Sequence, residues 1–261
     1  MIIECDENNI DNAFNYIGND YEKCLYMYID LVKYGLENEN FSVWIQYNEN
    51  EICALISQYY NGIQIYSKDY NLIVDETIDF IKEKDPDIIT GMGKSMCQIK
   101  DAFLEYNEYI GSIAKLDELT YPPNHDAYLA SDEELEEIAK IIADDENLGK
   151  GYNYKSLYEQ LYDRKKSNFG RNVISCDKSN NNIVCHTATF AELPELAVIS
   201  GVITPPQYRG KGFSKGTLAA LCEQLQLECK EVFAYFSTRA AEKMHCGVGF
   251  KKIGKWVKLK K

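Results

Sequence analysis

The stretch Thr204-Pro205-Pro206-Gln207-Tyr208-Arg209-Gly210-Lys211-Gly212-Phe213 follows the apolar run Glu195-Leu196-Ala197-Val198-Ile199-Ser200-Gly201-Val202-Ile203 and precedes an amphipathic segment. It reads as a buried strand, a glycine-rich turn and a helix start. Pro205 and Pro206 end the strand because neither offers an amide donor, and Gly210 and Gly212 let the backbone turn tightly with its N–H groups exposed. Exposed amides at a helix start attract anions, and Arg209 and Lys211 add positive charge at the same place. A diphosphate is the anion this combination suits.

The rest of the chain bounds the setting. Its 261 residues suffice for two domains of ordinary size, and 45% apolar residues with only 6 Pro mark a folded protein. No apolar run approaches the length that crosses a bilayer, and Met1-Ile2-Ile3-Glu4-Cys5-Asp6-Glu7 is acidic where a secretory signal is basic. The expectation is a cytoplasmic protein with no membrane partner. The nine cysteines are widely spaced with no CxxC, so they read as reduced thiols, and His125, His186 and His245 are too scattered to suggest a metal site.

A net charge of -13 argues against nucleic-acid binding, which needs a basic footprint. The charge is uneven, however. Residues 205–261 hold 12 Lys or Arg against 4 Asp or Glu, so an acidic body carries a basic end that includes the turn. Those terminal lysines either solvate strands or help to hold a polyanion.

Residues 11–38 carry a loose helical stripe. Strands follow at Phe41–Ile45, Ile52–Ile56 and Ile63–Tyr66, with turn composition between them, as in an antiparallel meander. A helix at Asp75–Lys84 and a strand at Asp87–Thr90 lead into Gly91-Met92-Gly93-Lys94-Ser95. This resembles the end of a nucleotide-binding P-loop, but the position of the first glycine is Ile88. A strand at Tyr109–Leu116 precedes Tyr121-Pro122-Pro123-Asn124, which reads as the border between domains 1–123 and 124–261.

Beyond that border, Ser131 and Glu134 form a capping-box pair ahead of a helix ending near Asp144. A second helix spans Tyr154–Lys166, and strands are expected at 171–176, 182–190 and 195–203. After the turn, Leu218, Leu221, Cys222 and Leu225 share one helix side. The strand Val232–Phe236, a short helix at Arg239–Cys246 and terminal strands from Gly249 complete the pattern.

Residues 124–261 thereby resemble the GNAT superfamily of acyl-coenzyme A-dependent N-acyltransferases. Gln207, Gly210 and Gly212 match the family's spacing of Gln or Arg, two residues, Gly, one residue, then Gly or Ala. Ala241, Met244, His245 and Gly249-Phe250 match the helix and closing GF downstream. The resemblance implies an α/β (α+β) fold with a mixed, mostly antiparallel sheet flanked by helices. The first half has a similar rhythm without the phosphate signature, so a tandem with a degenerate first copy is expected.

The resemblance also implies acetyl-coenzyme A as cosubstrate. Val202, Ile203 and Thr204 would lie beside its pantetheine arm, and Arg209, Gly210, Lys211, Gly212, Phe213 and Ser214 would hold the diphosphate. Thr238 stands where family members often carry Asn, and His245 where they carry Tyr, both near the thioester. Attack by an amine needs a proton acceptor, and the leaving thiolate needs a donor. Glu195 and Glu192 are the candidate bases and His245 the candidate acid, each balanced against a purely structural role. The expected reaction is direct acetyl transfer to a primary amine of a small molecule, by a monomer or homodimer. The alternative is a noncatalytic acyl-coenzyme A-binding or regulatory protein.

Overall fold

The computed structural model describes residues 1–146, 149 and 153–261. The chain divides into two compact units, Met1–Ser112 with Gly254–Lys261, and Ile113–Ile253. Tyr121–Asn124 lies within the second, where Asn124 N–H donates to the Gly216 carbonyl.

In the first unit the elements are β1 (Ile2–Glu4), α1 (Ile10–Ile17), α2 (Leu25–Tyr34), β2 (Phe41–Asn48), β3 (Glu51–Tyr59), β4 (Gly62–Tyr66), α3 (Val74–Lys84), β5 (Ile88–Met92), α4 (Gly93–Ile99) and the start of β6 (Asn107–Leu116). The single helical stripe read over 11–38 is two helices, separated by a 3-10 segment at Gly18–Lys23. The expected meander is present as antiparallel β2-β3-β4, and β4 then pairs parallel with β5 across α3. Apolar side chains fill both faces. Ala13, Ile17, Met27 and Leu31 pack under α1 and α2, and Ile63, Ile65, Ile81 and Ile89 pack on the side of α3.

The nucleotide-loop resemblance dissolves in this unit. Gly91 and Met92 belong to β5, with Gly91 paired to Ile65, so no loop surrounds an anion there. A Cβ on Gly91 would stand 2.9 Å from the Ile65 carbonyl oxygen, so the glycine answers a close strand approach.

The second unit contains the end of β6, β7 (Tyr128–Leu129), α5 (Asp132–Ala143), α6 (Tyr154–Lys166), β8 (Asn172–Cys176), β9 (Ile183–Glu192), β10 (Leu196–Ile203), α7 (Phe213–Leu227), β11 (Glu231–Phe236), α8 (Arg239–Cys246) and the start of β12 (Phe250–Lys260). Ser131 caps α5 as its sequence demands: its Oγ accepts from the Glu134 N–H at 3.3 Å, and the Glu134 carboxylate accepts from the Ser131 N–H at 2.7 Å. Strands β7 to β10 are successively antiparallel, and β10 pairs parallel with β11 across α7. Leu218, Leu221, Cys222 and Leu225 bury one side of α7 against Ala197, Ile199, Val232 and Ala234. Leu135, Ile138, Leu157 and Leu161 close the other face.

Each unit thus repeats one plan, an antiparallel meander whose last strand is joined through a helix to a parallel neighbour. The difference lies in how far that parallel pair runs. In the first unit pairing reaches Ile65, one residue short of the end of β4. In the second it stops at Ile199, with Ser200–Ile203 continuing beyond it beside β9 and not β11.

Candidate functional site

The opening begins with a bulge in β10. Between Ser200 and Ile203 the register with β9 slips, so three steps along β10 answer two along β9, from Ala188 to His186. Gly201 sits at this point with φ +59°, a left-handed conformation that glycine adopts without the penalty a side chain brings. Pairing of β10 with β11 ends just before it, at Ile199.

Opposite the bulge, His186 is completely buried. Its Nδ1 lies 2.9 Å from the Gly201 carbonyl oxygen, and Nε2 lies 2.9 Å from the Asn172 carboxamide. Burial pulls the imidazole pKa down to about 4, so the ring is neutral near pH 7. A carbonyl only accepts, so Nδ1 carries the proton; Nε2 is then an acceptor, which the carboxamide satisfies by presenting its nitrogen.

The turn follows. Pro206–Tyr208 form a short 3-10 segment, and Gly210 and Gly212 have φ +79° and +86°. Gly212 is the N-cap of α7, so the first N–H groups of that helix open onto the turn. A Cβ on Gly210 would meet nothing within 4 Å, which leaves the backbone approachable from outside. Lys211 and Lys215 stand over the rings of Tyr208 and Tyr121, at 5.7 and 5.4 Å. Arg209 is committed elsewhere: Nε donates to the Thr204 carbonyl at 2.9 Å and Nη2 pairs with Asp145 at 3.0 Å.

A cavity of about 470 Å³ lies between the separated strand ends. Of the residues singled out in the sequence, Val202, Ile203, Thr204, Arg209, Ser214, Thr238 and His245 line it. Gly210, Lys211 and Gly212 continue from it as the turn itself, and Phe213 begins α7. Thr238 is the N-cap of α8, its Oγ1 accepting from the Ala241 N–H at 3.2 Å. His245 is buried between Phe236, stacked at 5.2 Å, and Phe250, edge-on at 5.3 Å. Burial lowers its pKa, and its Nδ1–H donates to the Ala241 carbonyl at 2.8 Å, leaving Nε2 as the lone-pair nitrogen. In this resting form the ring has no Nε2 proton to give, so the expected acid must first take up a proton.

The two candidate bases are not brought to this cavity. Glu195 precedes β10 and Glu192 pairs with Ala197, toward the opposite end of the strand from Gly201, which at the ordinary rise per residue is ~20 Å from position 195 and ~13 Å from position 197. Glu192 is also engaged: Arg171 donates to it at 2.8 and 2.7 Å, and Thr189 Oγ1 at 2.7 Å. A carboxylate so held fixes a strand end.

Asp145 and His186 were not legible as site residues. Asp145 follows α5, and only folding brings it to Arg209 and the cavity. Beside it, Glu137, Asp144, Asp145 and Glu146 line a second cavity of about 600 Å³ that reaches Pro205–Arg209. His186 gave no signal because one histidine in an apolar strand has no motif around it.

Neither a protein-family model nor a curated protein sequence matches the chain. Solved structures do match in fold. A GCN5-related N-acetyltransferase from Sphaerobacter thermophilus aligns with a TM-score of 0.65 at 12% identity, covering 100% of this chain and 95% of its own. A GNAT-family acetyltransferase from Colwellia psychrerythraea aligns at 0.61 and 12% identity, covering 100% and 99%. A tandem GNAT protein from the clavulanic acid biosynthesis pathway aligns at 0.61 and 10% identity, covering 99% and 97%. The chain has the GNAT fold, a mixed and mostly antiparallel sheet flanked by helices, consistent with a tandem arrangement.

Proposed function

We propose that the second unit transfers an acetyl group from acetyl-coenzyme A to a primary amine of a small molecule, by direct attack with both bound. The observation that carries this reading is the parting of β10 from β11 after Ile199, which opens a cavity leading to an uncrowded glycine turn at the start of α7. These residues fit the cosubstrate. The backbone from Arg209 to Ser214, with Lys211, would hold the diphosphate, and Val202, Ile203 and Thr204 would flank the pantetheine arm. When bound, acetyl-coenzyme A supplies an activated acyl thioester.

The chain's own residues supply position and proton transfer. Backbone N–H groups at the Gly201–Val202 bulge face developing negative charge without side-chain reorganisation. His245 Nε2 takes up the amine proton, and the resulting imidazolium, destabilised by burial, releases it to the thiolate. One group thus serves both directions, and Glu192 and Glu195 have no part in the transfer. The acidic second cavity favours a cationic acceptor by simple charge attraction.

The second reading, binding without turnover, draws on the distance of both glutamates from the cavity. Incubation with acetyl-coenzyme A and a panel of primary amines, followed by assay of free thiol, separates the two. Amine-dependent thiol release supports transfer; tight binding with no release under any amine supports the second reading.

A further inference from the structure

The bulge that lines the cavity is not explained by Gly201 alone. Glycine permits φ +59° without selecting it, so something must hold the strand in that bend. Among the described residues, the group bonded to the Gly201 carbonyl from the neighbouring strand is the imidazole of His186. The imidazole side of the contact is buried, because His186 is wholly enclosed and its second nitrogen is taken by Asn172, while Gly201 is half-buried at the cavity. A Cβ at position 201 would approach His186 Cε1 to 3.4 Å, so ring and bulge are in direct packing contact.

We propose that His186 is a positioning residue for the acyl-arm half of the site: its Nδ1–H pins the Gly201 carbonyl, and so turns the Gly201–Val202 backbone toward the cavity. The inference rests on the acetyl-coenzyme A reading above. It assigns His186 no proton transfer and no ligand contact. Asn172 sets the ring, the ring sets the carbonyl, and the carbonyl sets the peptide groups beside the arm. A strand with ordinary pairing at this point would keep its amides in the sheet.

Two polar isosteres separate the two bonds of the ring. In His186→Asn the amide nitrogen stands near the place of Nδ1 and keeps the bond to Gly201. In His186→Gln it stands near the place of Nε2 and bonds to Asn172 once that carboxamide turns its oxygen toward it, leaving no donor for Gly201. Two probes divide the site: acetyl-coenzyme A, and adenosine 3′-phosphate 5′-diphosphate, which carries the diphosphate but no pantetheine arm. Both are titrated calorimetrically into parent and variants.

The expected result is a roughly tenfold or greater loss of acetyl-coenzyme A affinity in His186→Gln, with affinity for the nucleotide probe within about twofold of the parent. His186→Asn should recover most of the loss. Equal weakening of both probes in both variants would mean a general packing role and overturn the proposal, as would unchanged binding of both. If the parent itself binds neither probe, the acetyl-coenzyme A reading has failed and this inference falls with it. If the parent binds both and the Gln and Asn variants behave alike, the inference alone has failed.

Discussion

Arg209 and Asp145 form an ion pair, Nη2 to Oδ2 at 3.0 Å, while the same guanidinium holds the Thr204 carbonyl through Nε at 2.9 Å. The arginine of the glycine turn therefore staples the end of β10 to the residue that follows α5. Asp145 is the more buried partner, with 10% of its side chain exposed against 54% for Arg209. Removing the arginine leaves a carboxylate at the mouth of the cavity, where it opposes an anionic ligand.

Arg209→Ala should weaken acetyl-coenzyme A binding by a few-fold, and Asp145→Asn in that background should restore part of the loss. Solvent screens the half-exposed arginine, so the direct pair contributes no more than about 1 kcal/mol. Calorimetry on the two single variants and the double variant measures the coupling. Strict additivity would show that the staple has no bearing on ligand binding.

Gly210 separates strain from charge. Its φ of +79° charges any side chain roughly 1 kcal/mol of backbone strain, yet a Cβ there has open space. Gly210→Ala should therefore lower affinity only modestly, and Gly210→Asp by at least about tenfold, because it adds negative charge at the anion turn. Equal affinities for the parent and the Asp variant would remove the turn from the site.

His245→Ala should lower turnover roughly tenfold to a hundredfold, the lower range of general acid–base catalysis, with little change in acetyl-coenzyme A affinity. Because burial lowers the His245 pKa, the lone pair on Nε2 is lost only as the pH falls below the usual histidine value. The parent should show an acid limb in its rate profile below about pH 6.5 that the variant lacks. Rates across pH on both proteins decide this.

His186 makes stability depend on pH with a definite sign. Its pKa is about 4 in the fold and about 6.5 in the unfolded chain, so the unfolded chain binds more protons between those values. Its contribution is complete above about pH 6.5 and is lost progressively as the pH falls toward 4, by about 3 kcal/mol in all. Urea unfolding at pH 7 and pH 5 should show the loss in the parent and a smaller loss in His186→Asn. His245 acts in the same direction, so the variant retains some dependence.

Glu192→Gln and Glu195→Gln should leave turnover unchanged. Glu192→Gln should instead cost about 1–3 kcal/mol of stability, since Arg171 keeps Glu228, at 2.6 and 2.8 Å, when it loses its partner on β9. Thermal unfolding beside thiol-release rates tests both statements together. A large fall in turnover with unchanged stability would return Glu192 to the chemistry.

What the sequence determined about this protein is what neighbouring residues dictate. Pro205-Pro206 stopped a strand, Gly210 and Gly212 made a turn, Ser131 with Glu134 started a helix, and Leu218, Leu221, Cys222 and Leu225 marked the side of α7 to bury. Each signal lies within a few positions, where backbone sterics and helical period act directly. The tertiary structure decided what depends on residues distant in the chain. It bent β10 at Gly201 against His186, turned Arg209 from the anion turn to Asp145, and locked Glu192 with Arg171 at the far end of the strand. It also took the proton from His245 Nε2, because a ring enclosed by Phe236 and Phe250 loses the solvent that stabilises its charge. Local pattern names the elements; burial and cross-strand bonding assign the charge, partner and direction of each side chain, and these forces exist only once the strands have met.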